Sequence, residues 1–293
     1  VFEQGQPDSF RVGRWHDAVT ANQVAIEADD AYLSACRGNV NGLYPLGYVP
    51  HNHHFLWFAA SMEGASEIAR DAALQTAARV NLPELMRQPG FAGLQHYWMT
   101  PWFDRVRFGR WDEIVERPNP APDLPYVTAI WHYAQAMADV RQGRLESAGR
   151  HHLALAKLAA DPAMEQLTVW DRYSLANAVR IAERTVAAEL AMARNDHDAA
   201  IAALREAVTI ESGIPYDEPP GWHSPVRQTL GAVLLAANRP AEAEVVYREE
   251  VRRNPDNGWS LRGLSDSLAA QQRGNEARQA EQQFAAAWAH ADV

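Results

Sequence analysis

This 293-residue sequence predicts an all-α fold built from antiparallel helical hairpins. Three observations carry that expectation. Five turn sequences recur: Val-Gly-Arg-Trp at Gly13, Glu-Gly-Ala-Ser-Glu at Gly64, Phe-Gly-Arg-Trp at Gly109, Gln-Gly-Arg-Leu-Glu at Gly143 and Ala-Asn-Arg-Pro-Ala-Glu at Asn238. Five residues after each stands a side chain small enough to nestle on the preceding helix, namely Ala18, Ala69, Ala148 and Ala243, with Ile114 the exception. A weaker sixth turn sets Asn195 before Ala200. The segments between turns are rich in Ala, a strong helix former that lets helices approach closely, and no stretch alternates with the two-residue period of a strand.

Taken in order, residues 14–36 read as one long helix after a short first one. Asn39 to Pro50 reads as a loop, and Pro50 suits the first turn of a helix running to Glu63, whose partner covers Ser66 to Val80. Leu82 to Gly90 is a connector. The next pair is Gly93 to Phe108 with Trp111 to Glu116, and Arg117 to Pro125, with its four prolines, must be extended loop. Further hairpins cover 126–141 with 145–160, and 171–194 with 197–210. Glu211 to Pro225 is a second Pro-rich loop, which Tyr216, Trp222 and Pro219-Pro220 make stiff and apolar, so it is expected to pack over the inner groove of the helical array. The pairs 225–237 with 240–253 and 257–271 with 274–290 complete the chain.

Residues 227–257 resemble a tetratricopeptide repeat throughout, and the likeness extends more loosely over most of the sequence. It implies hairpins of about 34 residues stacked as a solenoid with a right-handed superhelical twist. The expected organisation is one repeat domain, 1–293, of about six to seven hairpins, clearest over 225–290. More narrowly, His-Asn-His-His-Phe-Leu-Trp (51–57), Trp-His-Tyr-Ala (131–134) and Tyr-Asp-Glu-Pro-Pro-Gly-Trp (216–222) resemble a group of bacterial tetratricopeptide proteins of unassigned biochemistry. That group implies a further His-containing helical stretch ahead of Val-Gly-Arg-Trp, where this sequence has only Val1 to Arg11. The first residue is Val rather than Met, so a processed or partial chain is expected.

The formal charge of −10 disfavours nucleic acid as a partner. No apolar run approaches the roughly 20 residues that span a bilayer. A single Cys36 excludes an internal disulfide and a Cys-based zinc finger.

In a tetratricopeptide register, the positions 13 and 10 residues before each turn glycine face the inner groove. They are His51 and His54 before Gly64, His96 before Gly109, and Tyr133 with its neighbour His132 before Gly143. Neutral imidazoles ligate zinc and copper, so His51, His54 and His96 are candidate metal ligands, with a carboxylate from Asp217 or Glu218, or the imidazole of His223, from the Pro-rich loop completing the shell. His132, Tyr133, Trp57, Phe58, Trp222 and Arg227 are candidate pocket residues. His16, His151, His152, His197 and His290, by turns or on second helices, read as solvated surface. No phosphate loop, nucleophile elbow or His-Glu-x-x-His motif is present, and no catalytic residue can be named. Two functions stay open: a scaffold holding a peptide, protein partner or small ligand in a His- and aromatic-lined groove, and a metal-dependent oxidoreductase or hydrolase.

Overall fold

The structure, a computed structural model, describes residues 6–36, 44–115 and 117–293, with side chains from Ser9 onward. Helices α1 (Gln6–Arg11) and α2 (Trp15–Ala35) come first. A single π-helical turn (Tyr44–Tyr48) leads into α3 (Val49–Glu63), which is followed by α4 (Ser66–Arg79). The short α5 (Pro83–Met86), α6 (Gly93–Trp98) and α7 (Thr100–Arg107) precede a 3₁₀ turn (Trp111–Glu113). Then come α8 (Pro125–Arg141) and α9 (Leu145–Ala159), a 3₁₀ turn (Pro162–Gln166), and two-residue strands β1 (Thr168–Val169) and β2 (Tyr173–Ser174). Helices α10 (Ala176–Ala193), α11 (His197–Gly213), α12 (Val226–Ala236), α13 (Pro240–Arg253), α14 (Gly258–Ala270) and α15 (Gly274–Ala287) finish the chain. The described residues are all-helical apart from that one small ribbon and the connecting turns.

One backbone device closes the hairpins. Gly13, Gly64, Gly109 and Gly143 adopt φ of 76°, 80°, 66° and 76°, and Asn195, Asn238 and Gln272 adopt 59°, 57° and 61°. Left-handed backbone at this position lets the next amide bond back to a carbonyl five residues earlier, satisfying a helix-end acceptor. Arg14 N donates to Ser9 O at 2.8 Å, Arg144 N to Asp139 O at 2.8 Å and Arg273 N to Leu268 O at 3.0 Å in this way. The turn at Gln272 carries no sequence signal, because it places an ordinary side chain where Gly or Asn is favoured. The small residues after the turns are buried as expected: Ala18, Ala69, Ala148, Ala200 and Ala243 are each 0% exposed.

Four details depart from the sequence reading. The helix expected over 93–108 is two helices, because Pro101 lacks an amide and falls in the first turn of α7, with Met99 between the pieces. Within the loop expected at 39–50, residues 39–43 lie outside the described part and Tyr44 begins the π turn. The helix expected from 171 begins at Ala176, since β1 pairs with β2 across a three-residue turn, 170–172, in which Trp170 and Asp171 both have positive φ, 50° and 57°. The second helix expected at 111–116 is only one 3₁₀ turn. It is the one hairpin with Ile114, 0% exposed, where the others carry Ala, and the bulkier side chain prevents a second helix from lying equally close.

The chain clusters into two compact units, residues 1–81 with 239–293, and residues 82–238. The first unit brings hairpins from the two ends of the sequence together. Trp15 Nε1 donates to Pro255 O at 2.9 Å, and Trp259 Nε1 to Ser61 O at 2.9 Å. The indole of Trp288 lies so close to Gly64 and Gly258 that a Cβ on either would fall 2.5 or 1.9 Å from it. Asp292 accepts from the amides of Ser66 and Glu67, capping α4. The core of this unit is aromatic, with Phe10 beside Phe55 (5.3 Å) and Phe58 (5.6 Å), and Trp15 edge-on to Phe58. In the second unit α8, α9, α10 and α11 pack in succession, and α6, α7 and the segment after α11 pack around α8.

Candidate functional site

The second unit gathers four of the expected site residues into one buried cluster. Helix α8 supplies Tyr126 and Tyr133, seven residues apart and therefore on one helical face. Helix α6 brings His96, whose Nδ1 lies 2.6 Å from the Tyr126 hydroxyl. The loop after α11 brings His223, whose Nε2 lies 3.1 Å from the Tyr133 hydroxyl. Phe103, on α7, stacks on the His223 ring at 4.8 Å and 15°, and Trp222 sits edge-on to Phe103 and Tyr133. One turn along α7, Arg107 donates from Nη1 to Ser224 Oγ and Gln228 Oε1, both at 2.7 Å, anchoring the loop's return into α12.

Burial governs the electrostatics here. It lowers the His96 pKa to about 4. It also carries His223 well below the ordinary imidazole range, aided by the charge of Arg107. Both rings are therefore neutral near pH 7, and the adjacent Tyr133 hydroxyl, pushed upward by burial, stays protonated. The cluster is a pair of neutral imidazole–phenol contacts, in which His223 Nδ1 is buried without a hydrogen-bond partner among the described residues. Such a pair can relay or hold a proton and rigidly positions the loop.

The other expected residues fall elsewhere. His51, on α3 of the first unit, lies against Phe55 at 4.1 Å, and His54, 3% exposed, stacks on Trp57 at 5.3 Å. Trp57 and Phe58 are each 1% exposed and form the core of that unit, leaving them no pocket face. His132 points away from Tyr133, toward α9, with its Nδ1 2.8 Å from His151 Nδ1; burial, then the neighbouring His151, lowers its pKa to about 4. Glu218 accepts the hydroxyl of the exposed Tyr216, and Asp217 pairs with Arg172 at 2.7 Å. Arg227 braces α12 against the end of α11 through Ser212 (2.8 Å) and Glu211 (3.4 Å). Among the described residues no group of three or more His, Cys, Asp or Glu side chains is arranged to hold a metal ion. The second half of the Pro-rich loop is buried, with Trp222 and His223 3% and 4% exposed, whereas Tyr216 in its first half is 59% exposed.

Sequence reasoning passed over a recess of about 420 Å³ in the same unit, lined by Arg117, Trp131, Gln135, Asp139, Arg144 and His151 among others. It flanks the hairpin whose second helix is missing, so that side chains of α8 satisfy connector carbonyls instead. Trp131 Nε1 donates to Arg117 O at 2.8 Å, and Gln135 Nε2 to Ile114 O at 2.8 Å. Arg144 is paired with Asp139. With His151 lowered by burial, Arg117 leaves the lining one positive charge in excess. The signal for this site was the Ile114 exception together with the prolines that follow it.

Among the described residues no helix is long and apolar enough to cross a membrane. No protein-family model matches the chain, and no curated protein matches it.

Proposed function

We propose that this chain is a tetratricopeptide-type binding protein whose second unit takes a carboxylate-bearing peptide segment of a partner in the recess beside Trp131. The observation that carries the reading is the interrupted hairpin. Where its neighbours have a second helix, this one has a 3₁₀ turn and a Pro-rich connector, and a recess lies alongside. A flat indole, a cationic guanidinium and a neutral imidazole suit an extended segment with one acidic side chain, because Arg forms bidentate bonds to carboxylates and aromatic faces give contact area at low entropic cost. The recess volume falls within the range of roughly 300–1,000 Å³ typical of ligand sites. The reading as a zinc or copper enzyme is not carried by any observed ligand group.

Selection from a displayed peptide library tests the proposal. Enriched peptides should share an acidic residue, and Arg117→Gln or His151→Ala should weaken a synthetic consensus peptide by about tenfold, the loss of one modest charge-assisted contact. A library that converges on nothing, or a consensus that binds both variants unchanged, would overturn it.

A further inference from the structure

A separate recess, of about 370 Å³, opens in the first unit between the Gly13–Asp17 segment, the end of α3, Asp256 and the last turn of α15. Its most buried charged group is Glu63, whose side chain is 3% exposed and whose Oε2 lies 3.3 Å from His16 Nδ1. The ring of His16 lies flat on that of His290, with centroids 3.6 Å apart and planes within 7°. The ionisable groups facing Glu63 across the recess are Arg14, His16 and Asp17 from the start of α2, Asp256 from the loop before α14, and His290 after α15. Arg14 is already paired with Asp17. Two parallel imidazoles in contact cannot both be charged without repulsion. With Arg14 and Asp17 paired to each other, Glu63 and Asp256 are the acids left facing the two rings.

The geometry points to this recess as a binding site for a guanidinium group, held on the Glu63 carboxylate and flat against the His16–His290 stack, with Asp256 beside it. A guanidinium fits better than an ammonium for three reasons. It is planar, so it can follow the stacked rings; it is weakly hydrated, so a buried acid can strip its water; and it meets a carboxylate through two parallel bonds. The volume admits a side-chain-sized ligand. This inference is independent of the peptide recess in the other unit.

Burial raises the Glu63 carboxyl from 4.5 to about 7, with the charge of His290 opposing the rise. A bound cation favours the ionised carboxylate, so binding must release a proton. About a tenth of Glu63 is ionised near pH 6 and about nine-tenths near pH 8, which makes binding about tenfold tighter at the higher pH.

Calorimetric titration of the untagged chain with agmatine and with N-acetylarginine amide, in buffers of different ionisation heat, tests the site. Saturable one-to-one binding, a tightening of about tenfold between pH 6 and 8 and net proton release are expected. Tighter binding of agmatine identifies a free guanidine compound as the source; tighter binding of the arginine amide identifies an arginine side chain in a polypeptide. Glu63→Gln should remove saturable binding, and Asp256→Asn should weaken it a few-fold. Absence of saturation by either probe overturns the inference, as does binding without proton release or binding that Glu63→Gln leaves intact. Should Glu63→Gln fail to fold, as judged by circular dichroism, the proton release of the unaltered protein and the Asp256→Asn result decide.

Discussion

Glu63 should make the protein progressively less stable as pH rises from about 4.5 to about 7, and Glu63→Gln should abolish that trend. The carboxyl ends α3, is 2% exposed, and is raised from 4.5 to about 7 by its burial. In the unfolded chain it loses its proton near the ordinary value; in the folded chain it keeps that proton until pH approaches 7. Between those limits the folded state holds one more proton than the unfolded state, so stability declines with pH and levels off above 7. Each tenfold change in proton affinity corresponds to about 1.4 kcal/mol, and the whole interval to about 3 kcal/mol. No discount for solvent screening applies to a side chain this buried. Glutamine keeps the shape and stays neutral, so the variant should match the parent near pH 4.5 and exceed it by up to about 3 kcal/mol near pH 8.5. Urea denaturation of both proteins across that range isolates the effect, because titrating groups that do not interact with Glu63 cancel in the difference. A variant equally destabilised at both ends, or a Glu63 carboxyl that titrates near 4.5 by carbon-13 NMR, would refute the reasoning.

Two further outcomes follow from the geometry. Gly13→Ala and Gly143→Ala place a side chain at the same φ of 76°, but only the first would drive a Cβ to 2.3 Å from the Pro255 carbonyl oxygen. Gly143→Ala should therefore cost about 1–2 kcal/mol, the left-handed backbone penalty alone, and Gly13→Ala clearly more; equal melting temperatures would contradict this. His96, lowered to about 4 by burial, should show no ring titration above about pH 5 by NMR. Its contribution to stability is complete above its ordinary 6.5 and is lost as pH falls toward 4, since the unfolded chain binds the proton first. A His96 ring titrating near 6.5 would show that the ring is solvated.

The sequence by itself determined the hairpins. Gly13, Gly64, Gly109, Gly143, Asn195 and Asn238 announce left-handed turns because few residues adopt that backbone cheaply, and the Ala that follows most of them announces close helix contact. Both are local properties, readable from side-chain size and backbone freedom. The tertiary structure decided which helical face each histidine uses and which distant segments meet. His51 and His54 are expected at inward positions of a repeat register, and in the structure they lie on Phe55 and Trp57 of their own helix, beside a buried aromatic core. His16 and His290 are exposed, as the sequence reading has them, but their stacking beside Glu63 exists only because the first and last hairpins share one unit. The interruption after Gly109 lay between these cases. Ile114 and the following prolines marked it in the sequence, but the recess beside Trp131 exists only once α8 and α9 pack and the missing helix leaves them uncovered. Burial, which sets the charge state of His96, His223 and Glu63, depends on packing among residues far apart in the chain, and no local pattern encodes it.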